Sequence, residues 1–435
     1  MTENWPVNGS RVALPECWTA EVRDSNEHLL LRQYHLEHQR MILKFGAPTC
    51  LPFQTVVEMP LSTQFKENIN FWKMQEIANI HAEVLDGRTL SHRSAMERLR
   101  AIEADKDSYS IVQRVVGFGA SSIAIGILAF DAGWFDLPPI FFLGCILGWM
   151  QLVIATQSRI LSSLFPFLAV VLFTIIARAL GSIRIAGREH LCWSAITSAS
   201  VANILPSYII LCAAVELQGV NIMTGTVRLL SSMAYSMLLG FGITCGATLF
   251  GLLTTGAPCS SVCQQPHSTP LPAGISQHLT VEAIVMAVFT TSAGVMLNAR
   301  RRQMPGMVVV AVTHWLLIRC VPMISDNAAF ASLITSFTTC LFAEEISGWT
   351  GQLVGILLTP ALFVAVPGGM LANWALLLAL EFENSHDSDG NPLMKELYHI
   401  FEVAIGCSVG LALASLLSRG HNDRHPACFC QGIGW

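Results

Sequence analysis

The chain has 435 residues, of which 52% are hydrophobic and 13% are charged, and its mean hydropathy is +0.52. Soluble globular proteins carry about a quarter charged residues, so this composition excludes an ordinary soluble fold. The net charge of -5 and the pI near 6.2 exclude a generally basic nucleic-acid-binding protein, and no nucleic-acid partner is expected.

Charge is distributed unevenly along the chain. Residues 1–110 carry 27 Asp, Glu, Lys and Arg residues, whereas the remaining 325 residues carry only 28. The first part, which we call the head, is long enough for one small soluble domain. The second part needs an apolar solvent, so the composition predicts a lipid bilayer as its partner.

Helical periodicity predicts that the head is mainly α-helical. Apolar residues recur at helical spacing from Leu31 to Phe45, and a second run extends from Phe71 to Leu85. Ser91 is placed to cap a third helix. One side of that helix would carry Met96, Leu99 and Ile102.

From Ile111 onward, ten apolar stretches approach the roughly 20 residues that a helix needs to cross a bilayer. We therefore predict an all-α polytopic membrane protein with about ten transmembrane helices. The eighth stretch has acidic residues near its ends, and the ninth is interrupted by Pro367-Gly368-Gly369. The predicted spans are residues 111–130, 137–155, 160–182, 191–215, 228–253, 279–297, 304–322, 328–346, 351–380 and 397–418.

The ten spans divide into two sets of five around an uncharged loop. Because five is odd, the second set would enter the membrane in the opposite orientation to the first, as in inverted-repeat transporters. The fourth span of each set contains a proline, Pro206 or Pro360, although a chance match of a few residues is the competing explanation. The predicted organisation is a head at 1–110, a first module at 111–253, a linker at 254–278, a second module at 279–418 and a tail at 419–435.

Basic residues of the short loops indicate the orientation. With the head in the cytoplasm, the inner loops and tail hold seven Arg residues, whereas the outer loops hold three basic residues. The first 28 residues lack the apolar stretch of a cleavable signal peptide. We expect a multi-pass integral membrane protein with a cytoplasmic N-terminus and tail and a non-cytoplasmic linker. Most cysteines lie in apolar stretches and are expected to be free thiols.

Ionisable residues within the spans are the first candidates for a transport pathway, because each costs roughly 2.5 to 3.5 kcal/mol to insert. Glu216 ends span four and Arg228 opens span five. The two side chains could neutralise each other across a short connection or present a carboxylate and a cation to a zwitterionic substrate. The alternative is that both reach to the membrane interface.

Two further ionisable residues have open roles. His314 shares span seven with Arg319, but a separation of five residues does not place the two on one helical face. A lone histidine in an apolar helix is more often a hydrogen-bonded packing residue than a proton relay, and both roles remain open for His314. Glu402 in span ten has no Lys or Arg four residues away, which keeps proton coupling open for that carboxyl group.

Broken helices supply the remaining candidates. Pro206, Pro360 and the segment Pro367, Gly368 and Gly369 interrupt apolar spans, a pattern that indicates a substrate site near the membrane midplane. Glycines four residues apart, such as Gly406 and Gly410 in span ten, are better explained by close helix packing. Such glycine faces would also allow two chains to form a homo-oligomer.

The sequence gives no support for catalysis. His35 and His38 lack further ligands at zinc spacing, and the chain has neither a Gly-x-Ser-x-Gly nor a His-Glu-x-x-His motif. We therefore expect no enzymatic activity, no metal and no cofactor.

Several segments between residues 40 and 380 are similar to segments of a known protein family. The longest runs from Ile204-Leu205-Pro206-Ser207 through Glu216-Leu217-Gln218 to Leu239-Gly240-Phe241-Gly242. Leu43-Lys44-Phe45-Gly46-Ala47-Pro48-Thr49 and Phe363-Val364-Ala365-Val366-Pro367-Gly368-Gly369 extend the similarity. In these segments the chain resembles the threonine/serine exporter family, specifically its fungal branch of the pheromone-regulated membrane protein type.

The resemblance implies a soluble cytoplasmic region, two five-helix modules and a secondary transporter. That transporter would export small polar metabolites such as threonine, serine or a dicarboxylate, driven by the proton gradient. The family's soluble domain continues at length after Thr49, whereas residues 50–70 do not match it, so we expect a shortened head. The competing hypothesis is a non-transporting membrane scaffold or a degenerate family member, for example one acting in fungal cell fusion.

Overall fold

The computed structural model describes residues 70–85, 92–154, 159–185, 188–189, 191–206, 222–253, 279–321, 327–365 and 391–419, and the single residues Met41, Gln157, Ile209 and Ala213. Nearly all of the described chain is helical, and its only strands form a two-stranded antiparallel ribbon of Arg184–Ile185 and Arg188–Glu189. The helices are α1 (Phe71–Leu85), α2 (His92–Ala104), α3 (Ile111–Ala129), α4 (Leu137–Trp149), α5 (Arg159–Gly181), α6 (Trp193–Val201), α7 (Ile222–Leu253), α8 (Leu279–Met296), α9 (Met304–Cys320), α10 (Ala328–Thr350), α11 (Val354–Ala365) and α12 (Asn391–Arg419).

The head contains a small apolar core. Helices α1 and α2 pack together there, and the core includes Ile77, Ile80, Leu99 and the isolated residue Met41. The second and third predicted head helices are confirmed, since α1 and α2 cover them. The rest of the first predicted helix and the proposed cap Ser91 lie outside the described residues.

Seven helices in the described residues are long and apolar enough to cross a membrane, namely α3, α4 with its π-helical extension to Ile154, α5, α7, α8, α10 and α12. The chain is therefore a helical polytopic membrane protein. Each of the other three predicted spans contains a shorter helix, with 9 residues in α6, 17 in α9 and 12 in α11. The count of ten crossings stays a prediction.

Local side-chain chemistry sets several helix ends. Ser110 and Gln113 form a reciprocal capping box at the start of α3, and Gly351, with a φ of 67°, ends α10. Three predicted boundaries differ from the helix ends, because α7 begins at Ile222 rather than 228, α10 continues to Thr350 rather than 346, and α12 begins at Asn391 rather than 397. Apolar patterning detects the lipid-facing part of a helix and misses the polar turns that extend it.

The helices of the two predicted modules, the sets α3–α7 and α8–α12, share a pattern of contacts. In each set the first helix packs against the second and fourth, the second packs against the fourth, and the third packs against the fourth and fifth. One apolar core lies within the first set, whereas the other lies mostly in the second set but also includes Ala124 of α3 and Phe71 of α1. The short fourth helices, α6 and α11, are therefore central in both sets.

Glycines allow the closest helix contacts in both sets. A Cβ added at Gly242 or Gly246 of α7 would press on α5, and one added at Gly406 or Gly410 of α12 would press on α10. In each set the fifth helix thus uses two glycines four residues apart to approach the third. The predicted packing role of Gly406 and Gly410 is confirmed.

The first helices of the two sets pack against each other. Gly117 near the start of α3 lies against the Ser292 carbonyl near the end of α8, and Arg114 Nε donates to the Met296 carbonyl over 3.2 Å. The start of one helix therefore meets the end of the other. Helices α3 and α8 run in opposite directions.

Most of the described cysteines are free thiols, as predicted. Cys192, immediately before α6, is instead disulfide-bonded, which corrects the prediction for that residue. Composition alone could not reveal this bond, because a disulfide depends on the distance between two chain segments. The free thiols are Cys145, Cys245, Cys320, Cys340 and Cys407.

Candidate functional site

The structure describes five of the nine predicted site residues. They lie on both sets of helices and form no single cluster among the described contacts. Glu216, Pro367, Gly368 and Gly369 lie outside the described residues. The described candidates are Pro206, Arg228, His314, Pro360 and Glu402.

His314 is the most deeply buried of the ionisable candidates. It lies on α9 with no exposed surface, and its Nδ1 is 2.8 Å from the hydroxyl of Thr339 on α10. Thr339 has 11 residues of α10 on either side. The contact therefore joins two helices near the middle of a membrane span.

The hydrogen bonds of Thr339 fix the tautomer of the neutral imidazole. Its hydroxyl donates to the Thr335 carbonyl over 2.6 Å, so the same hydroxyl can only accept from His314. Nδ1 must therefore carry a proton, which leaves Nε2 of the neutral ring as an acceptor. Nε2 has no hydrogen-bond partner among the described residues. An unpaired buried acceptor costs about 1 to 3 kcal/mol, so this nitrogen is available to a hydrogen-bond donor.

The sequence analysis missed a buried ion pair between α8 and α9. It joins the start of α8 to the end of α9, at the open end of the hairpin that these two helices form. Glu282 on α8 accepts from Arg319 Nε over 2.8 Å and from Trp315 Nε1 over 3.1 Å, and a second Arg319 nitrogen donates to its other oxygen. The carboxylate is largely buried, with 11% of its side chain exposed, whereas 49% of Arg319 is exposed. Both carboxylate oxygens are used by neighbouring side chains, so the group acts as a clamp.

Hairpin geometry was the signal for this pair. Glu282 is near the start of span six and Arg319 is near the end of span seven. Consecutive antiparallel spans place those positions at the same membrane face. Sequence reasoning compared Arg319 only with its own helix and therefore overlooked Glu282.

Arg228 lies inside a helix and is not at its opening. Helix α7 begins six residues earlier, at Ile222, and Arg228 is buried with 4% of its surface exposed. Its neighbour Leu229 packs against the core of the second set, while Tyr235 further along α7 belongs to the core of the first set. Arg228 therefore lies where the two sets meet.

Glu402 has a local partner that the sequence analysis did not consider. His399 Nδ1 is 3.7 Å from Glu402 Oε2, one helical turn earlier on α12. The sequence analysis considered only Lys and Arg as partners of Glu402, whereas a protonated histidine can also pair with this carboxylate.

The two proline breaks that the structure describes each lie beside a buried polar group. Pro206 is buried and follows a 3₁₀ turn in which Asn203 donates to Ser122 Oγ over 3.0 Å and accepts from Ser121 Oγ over 2.8 Å. The broken end of span four is thereby tied to α3. Pro360 lies inside α11, and Thr359 beside it donates to the Gly355 carbonyl over 2.6 Å.

Comparison of the chain with known protein families gives two matches. A family model described as "Putative threonine/serine exporter" matches residues 44–250, and one described as "Threonine/Serine exporter, ThrE" matches residues 282–418. The interval between the two matches contains the predicted linker. No solved structure matches the chain.

Curated fungal relatives share the name "Pheromone-regulated membrane protein 10". The relative from Pichia sorbitophila is 31% identical over 375 residues, which cover 83% of this chain and 36% of the relative. The relative from Candida albicans is 31% identical over 374 residues, which cover 81% and 32%. A relative from Saccharomyces cerevisiae is 31% identical over 391 residues, which cover 86% and 96%. The chain thus spans about a third of the first two relatives and nearly all of the third.

Proposed function

Because the chain belongs to the threonine/serine exporter family, in its fungal branch, we propose that it is a secondary transporter that exports small polar metabolites. The proposed substrates are threonine, serine or a dicarboxylate, and the proposed driving force is the proton gradient. The bilayer is its solvent, and no enzymatic step is part of the proposal.

The repeated packing of the two helix sets is the observation that carries this proposal. Corresponding helices contact corresponding neighbours, and the first helices of the two sets run in opposite directions. Two modules of opposite orientation supply the two alternative openings that a carrier needs. This supports an inverted repeat of five plus five spans, with the substrate between the modules.

His314 is the proposed proton site. Its Nε2 is a buried acceptor, and Thr339 holds the ring by the other nitrogen. A proton that arrives on Nε2 would create a buried cation, which a second conformation of the carrier could release on the other side. Glu402, with His399 beside it, is a proposed second group on the proton pathway.

The proposed substrate region lies at the boundary of the two modules. Arg228 is buried there and offers a cation to the carboxylate that amino acids and dicarboxylates share. Glu216, Pro206, Pro360 and the segment Pro367, Gly368 and Gly369 complete the proposed region. Glu216→Gln should change the pH dependence of transport, and an unchanged profile would remove Glu216 from this role.

The proposed orientation places the head in the cytoplasm. The bias of basic residues in the loops supports it. The disulfide of Cys192 supports it too, because α5 ends just before this residue on the side of the membrane away from the head, where an oxidising compartment would be. Protease protection of the head in sealed vesicles measures the orientation directly.

Counterflow in proteoliposomes tests the function. Vesicles are loaded with unlabelled threonine, serine or succinate, and uptake of the same labelled compound is followed with and without a pH gradient. Saturable exchange is expected for at least one compound. Its absence from folded, monodisperse protein would refute the transport proposal.

A second candidate is a non-transporting membrane protein, such as a scaffold in cell fusion. The name of the fungal relatives favours this alternative, since it records regulation by pheromone and no transported compound. The absence of exchange for all three compounds would favour it.

A further inference from the structure

The start of α1 docks on the membrane helices. The Phe71 N–H donates to the Leu297 carbonyl over 2.9 Å, just after α8 ends. Phe71 and Trp72 are buried, with 1% and 3% of their surfaces exposed. Arg300 stacks over the Trp72 ring at 4.8 Å and pairs with Glu76 at 2.9 Å. We call residues 70–76 the strap.

Gln75 connects the strap to a second loop of the same helix set. Its Nε2 donates to the Gly351 carbonyl over 3.2 Å, and its Oε1 accepts from the Leu353 N–H over 2.8 Å. Gln352 in that turn donates to the Arg302 carbonyl over 3.1 Å. The strap therefore joins the loop between α8 and α9 to the turn between α10 and α11.

The other side of the strap is held to the first helix set. Lys73 Nζ donates to the Asp105 carbonyl over 2.8 Å, and Asn70 Nδ2 donates to Asp107 Oδ1 over 3.0 Å. Asp107 also pairs with Arg114 of α3 at 3.2 Å. Through these bonds the strap spans both sets on the side of the membrane where the head lies.

We propose that the strap is a latch that keeps the head side of the carrier closed in this conformation. Opening that side requires the loops after α8 and α10 to move away from the start of α3. Such a movement breaks either the bonds of the strap to those loops, made by Gln75 and Arg300, or its bond to the segment before α3, made by Asn70. The Arg300–Glu76 pair is 53% and 35% exposed, and such exposed pairs are individually weak, which suits a contact that must break in every cycle.

The native thiol of Cys340 reports on this latch. Cys340 lies in the middle of α10, is 2% exposed and belongs to the same apolar core as Phe71 of the strap, so a water-soluble maleimide reaches it only when that core opens. We expect Gln75→Ala to speed its labelling about tenfold, the order that one or two lost hydrogen bonds correspond to. The matched control is Glu83→Ala, which removes the exposed pair with Arg98 inside the head and should leave the rate unchanged.

Exchanging the two charges of the Arg300–Glu76 pair distinguishes the loss of the latch from misfolding. Glu76→Arg should speed labelling of Cys340, and adding Arg300→Glu should return the rate toward that of the wild type. Equal rates in wild type, Gln75→Ala and Glu76→Arg would overturn the latch, as would equal acceleration by Glu83→Ala. The latch presupposes a carrier, but labelling needs no substrate. A protein without counterflow but with the expected labelling would refute the transport proposal alone.

Discussion

The close approach of α10 and α12 makes a sharp prediction for Gly406→Ala. Gly406 faces α10, and an added Cβ would overlap the Ala329 carbonyl and the Ser332 hydroxyl. The carbonyl belongs to helix backbone, so it cannot turn aside as a flexible side chain can. The two helices would have to separate.

Two opposing effects set the magnitude. Alanine is favoured over glycine inside a helix by about 1 kcal/mol. Overpacking a closely packed interface typically costs about 1 to 3 kcal/mol, and a backbone overlap belongs at the upper end. The expected net loss of stability for Gly406→Ala is therefore about 1 to 2 kcal/mol. Gly348→Ala on α10 is the matched control, because an added Cβ there meets nothing within 4 Å.

Thermal unfolding in detergent, followed by tryptophan fluorescence, measures both variants. The midpoint should fall for Gly406→Ala and should stay level or rise for Gly348→Ala. A midpoint for Gly406→Ala at or above that of the wild type would refute the packing of α12 on α10 described here.

Two further substitutions test the polar contacts of the second set. Arg319→Ala leaves the buried Glu282 carboxylate without its cation, which should cost about 2 to 3 kcal/mol, below the range for fully buried pairs because Arg319 is half exposed. Denaturant unfolding should show that this loss and that of Glu282→Gln do not add. Thr339→Val removes the acceptor for His314 Nδ1 and should alter the pH profile of transport, because the ring is no longer held in place. Thr338→Val removes a hydroxyl bonded only to its own helix and should leave the profile unchanged.

Apolar length located the seven long membrane helices, because burial in lipid demands long uninterrupted apolar runs. The start of α3 at Ile111 was also predicted, and it is a locally encoded end because Ser110 and Gln113 form a capping box there. The early start of α7 at Ile222 was missed, because its first turns lie outside the apolar run used to find it.

Contacts between distant segments were beyond the reach of periodicity. The bond between Gln75 and Leu353 joins residues 278 positions apart, and no local pattern encodes such a distance. The Nδ1–H tautomer of His314 likewise depends on which atom accepts the hydrogen bond of the Thr339 hydroxyl. The Glu282–Arg319 pair could have been predicted, because the geometry of a hairpin of consecutive spans places the two positions at the same membrane face.

Proton-driven accumulation in proteoliposomes tests the central claim most directly. An imposed pH gradient should drive labelled serine, threonine or succinate against its concentration gradient in wild-type vesicles. His314→Gln vesicles should lose the response to pH while the protein remains folded. A wild-type protein that neither exchanges nor accumulates any of these compounds would contradict the account.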